Sequence, residues 1–165
     1  MANTARLSNK QITILAIDPG ETTGVCIARP HVTGEQHQHL NLGVVSAAEV
    51  LWSERVERFW DIFSQHTFDY IVIEDFRLFM KSTRAQLGSD FPSVRVIGIV
   101  EAIAHYYKCF DRLHFQMPAI RSRVQIDPRD APHLTGSNHT KDAYRHLKYF
   151  VVVELWRKSP NPFSK

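Results

Sequence analysis

Two short apolar runs in this chain end on carboxylates, and a third stretch sets a histidine and an aspartate about one helical turn apart. In ILAIDPGETTGVCIA, residues 14–28, the run Ile14 to Ile17 leads straight into Asp18. In YIVIED, residues 70–75, the run ends on Glu74 and Asp75. An ionised carboxylate at the end of so apolar a segment is poorly solvated unless a cation or hydrogen-bond donors compensate it. Metal ligation supplies one reason for Asp18, and a turn cap before Pro19-Gly20 supplies another. Strand alternation sends Tyr70, Val72 and Glu74 to one face and Ile71, Ile73 and Asp75 to the other, so only one of the two acids shares a face with a given neighbour. Carboxylates brought together by adjacent strands repel, and Mg²⁺ or Mn²⁺ is the usual compensation. In HTKDAYRH, residues 139–146, His139, Asp142 and His146 fall on one helical face. His139 and Asp142 stand in the first turn, where free N–H groups and the dipole favour an anion such as Asp142, or a phosphate. Asp18, the acid of the second run and the His139-x-x-Asp142 pair can converge on one sheet edge.

The elements that would position these groups follow from patterning. Pro19, Gly20 and Gly24 give turn chemistry between the first run and Val25–Ala28, predicting a hairpin. LNLGVV at 40–45 reads as a third strand. His31, His37 and His39 lie in or beside the polar connection before it and read as a surface turn, because ligand sets sit on rigid elements. Ser46 and Glu49 have capping-box spacing, and Trp52, Val56, Phe59, Trp60 and Phe63 form an apolar stripe, which predicts a helix over about 47–65. After the fourth strand, residues 76–93 interleave Phe76, Phe79 and Phe91 with Arg77, Lys81 and Arg84. That pattern suits nucleic acid, where rings meet bases and cations meet phosphates, and equally a loop with a hydrophobic anchor. A helix follows to about residue 108, with Val96, Val100, Ile103 and Tyr107 on one stripe and Gly98 permitting close packing. LHFQM at 113–117 is a fifth strand. Arg121 and Arg123 come next, and a final helix over about 139–157 turns Leu147, Phe150, Val151 and Leu155 inward.

The 165 residues, 44% of them hydrophobic, suffice for one packed domain over 11–157, with polar ends at 1–10 and 158–165 expected to fray. Charge is uneven: residues 1–120 carry 11 basic and 13 acidic groups, a net of −2, whereas 121–165 carry 9 and 4, a net of +5. A basic C-terminal portion is compatible with a polyanion held by its phosphates and with a solvated basic face. Cys26 and Cys109 have neither the number nor the spacing of a disulfide framework or a cysteine zinc site. No leader-like or membrane-length apolar run is present, so a soluble intracellular protein is expected.

Taken together, ILAIDPGETTGVCIA, IVIED, AIRSRV and HTKDAYRH resemble the RuvC-type Holliday junction resolvases, nucleases of the ribonuclease H-like superfamily. The resemblance implies an α/β fold with a central five-stranded mixed sheet, order 3-2-1-4-5, flanked by helices. It carries the family's catalytic and metal-binding positions onto Asp18, Glu74, His139 and Asp142, with Glu74 preferred to Asp75 because it follows the apolar run in the family's place. It implies two Mg²⁺ or Mn²⁺ ions, in-line hydrolysis of branched DNA without a covalent protein intermediate, and a homodimer that cuts two strands symmetrically. The setting it implies is DNA recombination and repair in the cytoplasm of a bacterial or phage-infected cell. An aromatic wedge would fall on Phe76 or Phe79. Further DNA contacts would fall on Lys81, Arg84, Arg121, Arg123 and Lys141, Arg121 standing near the place of a family lysine. Lys141 and His146 are candidate helpers just outside the ligand set. The short interval between Arg121 and His139 resembles compact phage versions, for which forks and flaps are plausible substrates too.

Three other readings compete. One is a ribonuclease H-like nuclease with another nucleic-acid substrate, such as an RNA–DNA hybrid, which a substrate panel separates. A non-catalytic DNA-binding module would bind without metal-dependent turnover. An actin-like or sugar-kinase phosphotransferase needs two such domains around a nucleotide, and this chain has the length of one and no second phosphate loop.

Overall fold

In a computed structural model the described residues are 11–33, 39–76, 91–134 and 136–156. Ile14–Asp18 forms β1 and Thr22–Ala28 forms β2, which pair antiparallel through the turn at Pro19-Gly20. His31–Thr33 (β3) and His39–Asn41 (β4) make a separate two-stranded ribbon. Val44–Leu51 (β5) pairs antiparallel with β2 along its length. Helix α1, Arg55–Gln65, leads to β6, Tyr70–Glu74, which lies parallel to β1. Helix α2, Pro92–Tyr106, leads to β7, Leu113–Gln116, parallel to β6. The main sheet thus has five strands in the order β5-β2-β1-β6-β7. A 3-10 helix, Pro118–Arg123, and an irregular segment precede α3, Asn138–Tyr149, which continues as a π-helix over Phe150–Trp156.

Two cores cover the two faces of the sheet. Leu15 and Ile17 of β1, with Ile71 and Ile73 of β6, pack under Phe59 and Phe63 of α1 and Val96, Val100 and Ile103 of α2. Ile14 and Ala16, with Cys26 and Val72, pack under Ala143, Tyr144 and Leu147 of α3 and under Phe150 and Val151 beyond it. Strand parity therefore decides the position of the acids: Asp18 follows Ile14 and Ala16, and Glu74 follows Val72, onto the α3 face. The Tyr144 hydroxyl donates to Asp130 Oδ2 at 2.5 Å, tying the segment before α3 to the helix.

Several expectations are corrected. The third strand of the main sheet is Val44–Leu51, and the predicted 40–45 stretch is divided between β4, a bend at Gly43 (φ +58°) and the start of β5. Ser46 and Glu49 lie within that strand and cap no helix where they stand, because pairing with β2 at every residue of β5 but Val45 outweighs a local cap signal. The helix begins eight residues later than predicted, and Val56 is 45% exposed rather than inward. Gly98 does not permit a close approach, since a methyl group there would meet nothing within 4 Å. Tyr107, predicted to be inward, is 37% exposed. His31 is exposed on the ribbon, and His37 lies outside the described residues. The predicted frayed ends, 1–10 and 158–165, also lie outside them. Among the described residues no helix is long and apolar enough to cross a membrane.

Candidate active site

The ends of β1 and β6 and the first turns of α3 meet at one edge of the sheet. Asp18 pairs across β1 and β2 with Gly24. A side chain at Gly24 would overlap the backbone of His139 and Thr140, so its lack of a Cβ lets the α3 N-terminus rest directly on β2. That contact brings His139 over Asp18, with Nδ1 2.9 Å from Asp18 Oδ2. The helix start is fixed from two sides. Ser137 Oγ accepts from the His139 N–H at 3.1 Å, and the Ser137 N–H donates to Glu49 Oε1 at 2.8 Å. Glu49 thus supports a helix terminus after all, that of α3, to which it comes from the edge strand.

Glu74 sits at the end of β6 beside His146, whose Nε2 lies 2.8 Å from Glu74 Oε2. The ring is wholly enclosed and its Nδ1 lies 2.9 Å from Gln116 Oε1. Gln116 Nε2 in turn donates to Glu154 Oε1 at 2.9 Å. A polar chain therefore runs from Glu154 on the π-helix through β7 and α3 to Glu74. Asp142 Oδ1 accepts from Arg145, one turn along α3.

Arg121 connects the three acids. Its Nε lies 3.1 Å from Glu74 Oε2, and its Nη1 lies 3.4 Å from Asp142 Oδ2 and 3.9 Å from Asp18 Oδ1. Burial holds the Asp18 carboxyl above its ordinary value; the His139 hydrogen bond and the Arg121 charge oppose that, while the neighbouring Glu74 and Asp142 charges add to it. The oxygen-rich donor set with one imidazole suits a hard divalent cation. As it stands, no group of three or more His, Cys, Asp or Glu side chains among the described residues is arranged to hold one, and the cation among the acids is a guanidinium.

The four predicted ligand positions are thus brought to one patch. Asp75, the other acid of the YIVIED run, lies past the strand end, its N–H donating to Gln116 O at 2.7 Å. The Phe76 ring packs against Phe91 with centroids 5.2 Å apart. Arg123 is exposed on the 3-10 helix, and Lys141 is half-buried on α3. Phe79, Lys81 and Arg84 lie outside the described residues. Gln116, Glu154 and Arg145 were missed by sequence reasoning, and Glu49 was read as the cap of a different helix. Only Arg145 carried a signal, its i+3 spacing from Asp142.

No protein-family model matches the chain, and no curated protein matches it. Solved structures do. RuvC of Thermus thermophilus in complex with a Holliday junction substrate superposes with a TM-score of 0.57 at 10% identity, covering 86% of this chain and 95% of that one. A further structure of Thermus thermophilus RuvC gives a TM-score of 0.55 at 12% identity, with 87% and 97% covered. The chain therefore has the RuvC-type, ribonuclease H-like fold.

Proposed function

We propose that the chain is a divalent-metal-dependent endodeoxyribonuclease that cleaves branched DNA, four-way junctions above all, by hydrolysis at the edge formed by Asp18, Glu74, His139 and Asp142. The observation that carries this reading is the gathering of three carboxylates around one cationic group at the strand ends of this fold. Like charges held so close need a compensating cation, and a nuclease of this type uses one or more for its chemistry. Two ions of the Mg²⁺ or Mn²⁺ class, when bound, would supply the positive charge that activates water and stabilises the leaving 3′ oxygen.

The chain's own groups divide the remaining work. Asp18, Glu74 and Asp142 would offer carboxylate oxygens, and His139 a ring nitrogen. His146 bonds one oxygen of Glu74 from the enclosed side and so helps to orient the carboxylate. Arg121, Arg123 and Lys141 would meet backbone phosphates and orient the scissile strand. Phe76, or Phe79 beyond it, would wedge at the branch point. Two such sites in a homodimer would cut opposed strands of one junction.

The test is a substrate panel of synthetic four-way junction, fork, flap, RNA–DNA hybrid and linear duplex with Mg²⁺ or Mn²⁺. The expected outcome is paired nicks at symmetric positions in the junction, reduced about a hundredfold or more by Asp18→Asn or Glu74→Gln with junction binding retained. Equal cleavage of linear duplex would reject junction selectivity. Cleavage confined to the hybrid would move the activity to an RNA-directed nuclease, and no metal-dependent cleavage of any substrate would reject the enzyme.

A further inference from the structure

Arg121 approaches the acids to 3.1 Å at Glu74, 3.4 Å at Asp142 and 3.9 Å at Asp18, and its hydrogen bond within the cluster goes from Nη1 to Asp142 Oδ2. A guanidinium that served one carboxylate would take the bidentate geometry such pairs favour. This one bridges three, as a metal ion would. It shares Glu74 Oε2 with His146, but the other two oxygens it faces are ones left over. Asp18 Oδ2 is directed at His139 and Asp142 Oδ1 at Arg145, so Arg121 covers Asp18 Oδ1 and Asp142 Oδ2. A hard cation needs those same oxygens, and the guanidinium charge beside them opposes its entry.

The support of the side chain suits a group that leaves. Its 3-10 helix is anchored by the buried Ile120, whereas the Arg121 side chain is 41% exposed and closes the cluster from the solvent side. Arg121 itself belongs to neither core cluster. Resting on the metal-dependent reading above, we propose that Arg121 is a tethered counter-cation. It neutralises the carboxylates in the metal-free protein, competes with the incoming divalent ion, and once displaced stands at the mouth of the site to receive a DNA phosphate. Removing it would then improve metal binding, the reverse of what loss of a supporting residue does.

Full-chain wild type, Arg121→Ala and Arg121→Gln are titrated with Mn²⁺ alone, without DNA, by calorimetry and by electron paramagnetic resonance. Both variants are expected to bind Mn²⁺ about threefold to tenfold more tightly than wild type. Their metal-free melting temperatures should fall, and the rise on saturation with Mn²⁺ should exceed that of wild type. Unchanged or weaker Mn²⁺ binding by the folded variants overturns the tethered counter-cation, and leaves the metal-dependent reading intact when wild type itself binds. Absence of Mn²⁺ binding in all three proteins overturns both.

Discussion

Asp18 is where stability and the proposed chemistry conflict most sharply. It is 3% exposed, and burial raises its carboxyl, with His139 and Arg121 opposing and Glu74 and Asp142 adding to the shift. The folded chain therefore holds this proton more tightly than the unfolded chain does. Its contribution to stability is full below the ordinary carboxylate range and is lost as pH rises through the folded value. At neutral pH without divalent ions, the ionised Asp18 costs stability. Asp18→Asn is expected to melt higher than wild type by about a few degrees at pH 7 in chelator, with the difference shrinking toward acid pH. Scanning calorimetry across pH reads this directly, and a lower melting temperature at pH 7 would contradict it. Substitution of His146 is expected to lower stability instead. Both ring nitrogens are engaged in a fully enclosed position, so His146→Leu leaves Glu74 and Gln116 without their partner. A loss of about 1–3 kcal/mol in urea unfolding is expected. The position of His146 on the face of His139 and Asp142 was legible from helical spacing. Its partners Gln116 and Glu154 were not, because a polar residue at the end of an element gives no sign of what lies across the fold.

At the scale of elements, the site depends on how closely α3 approaches β2. The strand runs of β1 and β6 and the apolar stripe of α3 were readable because burial on both faces leaves continuous or periodic hydrophobic patterns. Gly24 read only as turn chemistry, although its role is to admit the helix N-terminus. The Ser46–Glu49 spacing misled for a related reason. Capping chemistry is local in sequence, whereas the pairing of β5 with β2 and the bond from Glu49 to the Ser137 N–H are not. Gly24→Ala is expected to push the first turn of α3 off the sheet, separating His139 from Asp18. The variant should lose about 1–3 kcal/mol of stability and bind Mn²⁺ more weakly, while Glu49→Ala, which removes only a supporting bond, should cost about 1 kcal/mol. Chemical denaturation of both variants, with a Mn²⁺ titration of the first, separates a packing defect from the loss of a cap.

Across the whole molecule, charge is divided in a way that the fold makes useful. The acids of the proposed site come from β1, β6 and α3, and the cations beside them come from the basic final part of the chain, residues 121–165, net +5. Arg121 faces those carboxylates and Arg145 bonds Asp142, while Arg123 shares the 3-10 helix with Arg121 and Lys141 shares α3 with Asp142. A phosphate backbone reaching the carboxylates would meet positive charge from these two elements. Affinity for DNA should then be strongly salt-dependent, since each phosphate neutralised releases condensed counterions. Arg123 and Lys141 would act as phosphate contacts outside the reacting centre. Replacing either with alanine is expected to weaken binding of four-way junction and linear duplex alike, and to make the slope of log affinity against log salt shallower by about one. The preference for a junction would then survive both substitutions, because it would come from the shape of the branch. Fluorescence anisotropy in Ca²⁺ over a salt series measures both quantities. A variant that loses junction binding alone, with its salt slope unchanged, would instead assign that side chain to recognition of the branch itself.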